Sequence, residues 1–173
     1  MPYNFITIEG NIGAGKTTLA KRLASELNGN LILEQFADNP FLPKFYENPK
    51  QFAFPLELFF MAERFQHLKK LLSEPDMFKS FTISDFLFQK SLIFAGNNLN
   101  ENEARLYRTL FNIINPNLPK PDIIVYLYAS VEKLMQNIQM RGRHYEQNIQ
   151  PEYLENLQNA YLSFFRQQQH SVV

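Results

Sequence analysis

The octet GNIGAGKT, Gly10–Thr17, fits G-x-x-x-x-G-K-[ST] at every defined position. Its glycines keep Cβ atoms away, so successive backbone N–H groups can turn inward on an anion. The helix that begins near Gly15 adds the positive end of its dipole. Lys16 offers a charge to the β- and γ-phosphates, and Thr17 offers a hydroxyl to Mg²⁺. Gly10, Asn11, Ile12, Gly13, Ala14, Gly15, Lys16, Thr17 and Thr18 are therefore the candidate ATP-binding residues. The motif establishes nucleotide binding and leaves the reaction open.

Two acids fall at the carboxyl ends of expected strands, where parallel sheets bind ligands. Asp85 ends the apolar run FTIS and suits the shell of a magnesium ion. Glu34 ends LIL, on a strand expected to lie too far along the sheet to serve that metal. Its chemistry is that of a base or orienting group for a hydroxyl attacking the γ-phosphate. Either acid also reads as a loop carboxylate capping a helix. Near the C-terminus, RGRHYEQ (Arg141–Gln147) places Arg141 and Arg143 on either side of a glycine. Guanidinium forks match phosphoryl oxygens, so this segment, about 141–150, reads as a lid over the reacting phosphate. A solvated helix end with charges favoured by the dipole is the plainer alternative.

The elements that must position these groups alternate between strand and helix. FITIE (Phe5–Glu9) is a buried strand, and Leu19, Ala20, Leu23, Ala24 and Leu27 give the next segment helical spacing. LILE and FTISD are the second and third strands, and PDIIVYLYAS (Pro121–Ser130) is the fourth. Prolines 40, 43 and 49 make the intervening stretch a loop with at most a short helix, followed by a long helix from about Phe54 to Leu72. FLFQKSLIFAG is helical, with Gly96 as its expected stop; ENEARLYRTLFNII, VEKLMQNIQMRGR and PEYLENLQNAYLSFF complete the helices. This alternation predicts a three-layer α/β fold, a parallel sheet flanked by helices. The terminal HSVV reads as the start of a fifth strand, cut off.

The 173 residues, 45% of them hydrophobic, suit one domain over the whole chain, residues 1–173. Lysine plus arginine and aspartate plus glutamate number 17 each, so no basic excess points to polymeric nucleic acid. The absence of cysteine excludes disulfides, thiolate catalysis and cysteine-based zinc sites. No apolar run reaches the length of a membrane span, and no signal-peptide pattern opens the chain, so a cytoplasmic protein is expected. His67, His144 and His170 lack metal-ligand spacing.

Together, IEGNIGAGKTT, Glu34, FYENPKQFAFPLELFFMAER, SDFLFQKSLIFA and RGRHYEQNIQPEYL resemble the deoxynucleoside kinase family, collinearly over nearly all of the chain. The resemblance implies a P-loop kinase fold and transfer of the γ-phosphate of ATP, with Mg²⁺, to a deoxynucleoside 5′-hydroxyl. It also implies a homodimer. By the same resemblance Glu34 faces the 5′-hydroxyl, Tyr46 and Glu146 meet the 3′-hydroxyl, and Arg64, Phe94 and the residue at 57 surround the base.

The sequence departs from the family at three places. Glu57 stands where the family commonly has glutamine, Ser84-Asp85-Phe86 replaces an acid-Arg-Ser triplet, and Asn137 replaces an arginine before the lid. These departures look like a bacterial branch. An ionised carboxylate only accepts hydrogen bonds, so Glu57 points to a purine with a two-donor edge, deoxyguanosine slightly ahead of deoxyadenosine. Thymidylate kinase also opens with a similar glycine loop, but that family usually has Asp-Arg after strand two. Here no arginine follows that strand before Arg64. A nucleotide-dependent regulatory protein would not need the substrate constellation.

Overall fold

The computed structural model describes residues 3–35, 39–73, 78–167 and 172–173. The sequence expectations for residues 36–38 and for His170 lie outside them. Strands β1 (Phe5–Gly10), β2 (Asn30–Ile32), β3 (Thr82–Ser84) and β4 (Ile123–Leu127) form one parallel sheet in the order β2-β3-β1-β4. The helices are α1 (Lys16–Glu26), α2 (Leu42–Glu47), α3 (Pro49–Ser73), α4 (Lys90–Asn98), α5 (Glu101–Ile114), α6 (Val131–Arg141) and α7 (Pro151–Gln167).

Strand β1 shows how the layers arise. Alternate residues of a strand face opposite sides. Phe5 packs with Met61, Leu68, Tyr107 and Phe111 from α3 and α5. Ile8 faces the other way, onto Ala20 and Ala24 of α1. One sheet thus separates two apolar clusters, and burying each such large side chain contributes about 1.5–3 kcal/mol. The carboxyl ends of β1, β2 and β3 open at one edge, where the chemistry collects.

Several boundaries differ from the sequence reading. Among the described residues the sheet has four strands, not five, and the expected fifth contributes a single parallel bridge, Ile124 to Val172. Helix α3 starts at Pro49 rather than near Phe54 and carries Pro55 inside it. A proline in a helix interior costs about 3 kcal/mol, but the buried faces of Leu56, Met61 and Leu68 lie beyond it and outweigh that cost. Gly96 does not stop α4, which continues to Asn98. The sequence misplaced this end because Gly96 signals a stop only weakly, whereas Asn97 and Asn98 are held by side-chain bonds.

Helix α5 coincides with its expected range. Asn100 caps it: the Asn100 side chain accepts from Glu103 N, and Glu103 accepts from Asn100 N. Loss of such a cap costs about 0.5–2 kcal/mol. Asn100→Ala is expected to lower the melting temperature by a few degrees in a thermal scan, about 2–4 °C per kcal/mol at this size. An unchanged transition would show that the cap adds nothing.

Candidate active site

The phosphate loop joins β1 to α1. At Gly13 φ is 83°, and an added Cβ would lie 2.9 Å from the Leu134 carbonyl oxygen, so glycine is required there. Asn137 donates to the Gly13 carbonyl at 2.8 Å, so the residue that departs from the family's arginine braces the loop instead. Lys16 Nζ folds back and donates to the Gly10 and Asn11 carbonyls, each at 2.9 Å. Burial and then the nearby Lys90 pull its ammonium down to about 8. A half-buried cation whose hydrogen bonds go to carbonyl oxygens can exchange them for an anion.

Glu9 lies at the end of β1 and is completely buried. One oxygen accepts from Leu87 N at 2.8 Å; the other accepts from Gly10 N at 3.0 Å and Tyr161 O–H at 2.9 Å. It therefore ties the start of the loop to the segment after β3 and to α7. Sequence reasoning missed this residue. The available signal was a carboxylate closing an otherwise apolar strand.

Asp85 follows β3, as expected. Its Oδ2 accepts from Thr17 Oγ1 at 2.5 Å, and its Oδ1 accepts from Glu34 N at 2.6 Å. A hydroxyl and a carboxylate side by side are hard oxygen donors, which fits Mg²⁺. Among the described residues no cluster of three acidic, histidine or cysteine side chains offers a fuller cage.

Glu34 is neither isolated nor remote. Strand β2 lies directly beside β3, which brings the Glu34 backbone onto Asp85 and overturns the expectation of a distant strand. Its carboxylate is gripped by two cations: Arg64 Nη2 at 2.6 Å on Oε1 and Lys90 Nζ at 2.6 Å on Oε2. Burial would raise the carboxyl, but Lys90 and Arg64 prevail and hold it at about 2. Arg64 also donates to Ser91 Oγ at 2.8 Å and lies over the Phe60 ring. Lys90 rests over the Phe94 ring at 5.3 Å. The sequence reading missed Lys90, although a lone cation in the apolar run FLFQKSLIFA was the clue.

The two arginines of the expected lid turn onto Glu146, a contact the sequence reading did not foresee. Helix α6 ends at Arg141, and Gly142 follows with φ 68°, which turns the chain back. Arg141 Nη2 and Arg143 Nη1 donate to the two oxygens of the nearly buried Glu146, at 2.5 and 3.2 Å. Next to them Tyr145 stacks on Tyr46, with ring centroids 6.3 Å apart.

A cavity gathers Glu34, Tyr46, Glu57, Arg64, Phe94 and Glu146. Asn98 and Tyr153, which the sequence reading had not singled out, also line it. A second cavity runs along the outer side of the loop, past Thr18, Arg22 and Asn137. The two share Gly13, Lys16, Thr17, Arg141 and Arg143. Two clefts that meet at two arginines, a lysine and a hydroxyl have the geometry to hold two molecules with a phosphoryl group between them.

The family model described as Deoxynucleoside kinase matches residues 6–173. A deoxyguanosine kinase of Bacillus subtilis (strain 168) is 39% identical over 157 residues, covering 91% of this chain and 76% of that one. A deoxyadenosine kinase of Dictyostelium discoideum is 35% identical over 163 residues, covering 93% of this chain and 66% of that one. Among solved structures, deoxyadenosine kinase from M. mycoides with products dCMP and a flexible dCDP bound superposes with a TM-score of 0.87. It is 26% identical, over 98% of this chain and 88% of that one.

Proposed function

This chain belongs to the deoxynucleoside kinase family, and on that premise we propose how its two clefts divide the reaction. It is an enzyme that phosphorylates a deoxynucleoside with ATP. The observation that carries the proposal is the meeting of both cavities at Gly13, Lys16, Thr17, Arg141 and Arg143. ATP takes the outer cleft, with its β- and γ-phosphates in the loop. The deoxynucleoside takes the inner one, with its 5′-hydroxyl toward Glu34.

Phosphoryl transfer has a loose transition state, so positioning and charge dominate. Lys16 releases the Gly10 and Asn11 carbonyls and meets phosphate oxygens. Thr17 and Asp85 would hold Mg²⁺, which when bound supplies charge neutralisation on the β- and γ-oxygens. Glu34 accepts the hydrogen bond of the 5′-hydroxyl and aims its oxygen at the γ-phosphorus. The new O5′–P bond forms as the bond to the β-phosphate oxygen breaks. ADP leaves with that electron pair, and the hydroxyl proton passes to Glu34 and on to solvent. Arg141 and Arg143 leave Glu146 and close on the moving phosphoryl group, and Glu146 and Tyr46 then bind the sugar 3′-hydroxyl.

The preferred acceptor is a purine deoxynucleoside, deoxyguanosine slightly ahead of deoxyadenosine, read by Glu57 with Arg64 and Phe94 nearby. Burial raises the Glu57 carboxyl to about 7, against the pull of Arg64 and the Asn98 hydrogen bond. Above that pH it is an anion that only accepts, which suits guanine. Below it the neutral acid both donates and accepts, like an amide, and adenine fits better. The ratio of kcat/KM for deoxyguanosine to that for deoxyadenosine is thus expected to rise between pH 6 and pH 8. In Glu57→Gln that slope should disappear and the ranking should move toward deoxyadenosine. A wild-type preference for deoxycytidine or thymidine would refute the purine assignment. An unaltered ranking in Glu57→Gln would take the reading of the base away from this residue.

ATP and free deoxynucleosides meet in the cytoplasm, where we place the reaction; no described helix is long and apolar enough to cross a membrane. We further assign a homodimer. Leu106 and Ile113, seven residues apart on α5, are 52% and 66% exposed and give two copies an apolar face to share.

A further inference from the structure

Glu57 is 1% exposed and lies in the wall of the inner cavity. Its Oε1 accepts from Asn98 Nδ2 at 2.7 Å. The Asn98 Oδ1 in turn accepts from Tyr153 O–H at 3.0 Å and from Asn97 Nδ2 at 3.2 Å. The orientation of the Asn98 amide is therefore fixed from both ends. Flipping it would set a carbonyl oxygen against the carboxylate and an N–H₂ against the Asn97 donor. The Glu57 backbone carbonyl is held as well, by Tyr107 O–H at 3.1 Å. Glu57 Oε2 is buried and has no hydrogen-bond partner.

A buried acceptor left unpaired in this way destabilises the empty site and favours whatever ligand supplies a donor. Arg64 directs Nε and Nη2 at Glu34 and Nη1 at Ser91. Lys90 is likewise taken up by Glu34. Oε2 of the ionised carboxylate therefore has room for a donor brought by a ligand in this cavity.

Resting on the reading of this cavity as a deoxynucleoside site, we propose that Asn98 and Tyr153 are positioning residues for base selection. They lock the Glu57 carboxylate so that it receives the paired N1–H and 2-amino donors of guanine. A carboxylate offers about four lone-pair sites. Asn98 occupies one on Oε1, which leaves acceptor capacity on both oxygens. Adenine presents an acceptor, N1, beside its amino group, and a carboxylate whose rotation is fixed cannot turn away from it. Without the Asn98–Tyr153 clamp the carboxylate can turn, and the penalty against adenine shrinks.

The test is kcat/KM for deoxyguanosine, deoxyinosine and deoxyadenosine with wild type, Asn98→Leu and Tyr153→Phe. Deoxyinosine keeps N1–H and lacks the 2-amino group. Wild type is expected to rank deoxyguanosine first and deoxyinosine between the two. Asn98→Leu should lower the deoxyguanosine-to-deoxyadenosine ratio about tenfold, the scale of one mismatched buried polar contact. Tyr153→Phe, which removes a single hydroxyl, should lower it several-fold. Both changes should appear in KM for the nucleoside and not in KM for ATP. A purely structural role would lower both substrates together, and an unchanged ratio in the two variants overturns the inference. Equal use of deoxyinosine and deoxyguanosine by wild type also overturns it. If Asn98→Leu does not fold, Tyr153→Phe decides alone. Wild type that phosphorylates no deoxynucleoside would instead overturn the reading of the cavity beneath it.

Discussion

Glu34→Gln is expected to lower kcat by a factor on the order of 10² or more while ATP still binds, the scale of a lost acid–base or orienting group. The substitution keeps size and one acceptor but removes the charge. A carboxyl held at about 2 is a poor proton acceptor at neutral pH. It aims the hydroxyl and takes the proton only late, once the forming O5′–P bond has made that proton strongly acidic. The same change leaves Arg64 and Lys90 facing a neutral amide in a buried site. Removing one partner of a buried ion pair outright costs about 3–5 kcal/mol, so a lower melting temperature should accompany the loss of turnover. The pH dependence has a definite sign. The folded-state carboxyl is depressed, so its stabilisation is complete above the ordinary carboxylate range and is lost only as pH falls toward about 2. Glu34 therefore supplies no acid limb to activity near neutrality; the pH dependence expected there is the change in substrate ratio set by Glu57. Full turnover in Glu34→Gln would remove it from the mechanism.

Replacing Arg141 and Arg143 together by alanine is expected to reduce kcat by about 10³, the lower end of what an arginine contributes to a transferring phosphoryl group. Both guanidiniums currently hold Glu146. They must exchange that carboxylate for the phosphoryl oxygens, and they do so most fully when charge spreads in the transition state. The loss should therefore appear in kcat, with smaller changes in KM for either substrate. Each single variant should retain part of the rate, because the second arginine still reaches the same group. If either variant raised KM and left kcat intact, the segment would be a binding element and not a lid.

The phosphate loop, the acid after β3 and the two arginines around Gly142 were all legible in the sequence. In each case a local pattern, a fixed spacing or a strand end, marks the position. The alternation of apolar segments likewise specified a parallel sheet between helices. What escaped was pairing across long sequence separations. Nothing local reveals that β2 lies beside β3, or that Lys90, 56 residues on from Glu34, closes on its carboxylate. The same holds for Glu9, whose partners Leu87 and Tyr161 come from two other elements. Helix ends were misjudged where packing outweighed propensity, at Pro55 and at Gly96.

The central claim is that a γ-phosphoryl group crosses from the loop to a nucleoside hydroxyl at the junction of the two clefts. It is tested most directly by supplying γ-labelled ATP with Mg²⁺ and, in turn, each deoxynucleoside and each deoxynucleoside monophosphate, then separating the products. Label is expected in a deoxynucleoside 5′-monophosphate, with one ADP formed per label transferred and deoxyguanosine the best acceptor. Label found in a diphosphate formed from an added monophosphate, or released as free phosphate at the same rate with no acceptor present, would contradict it.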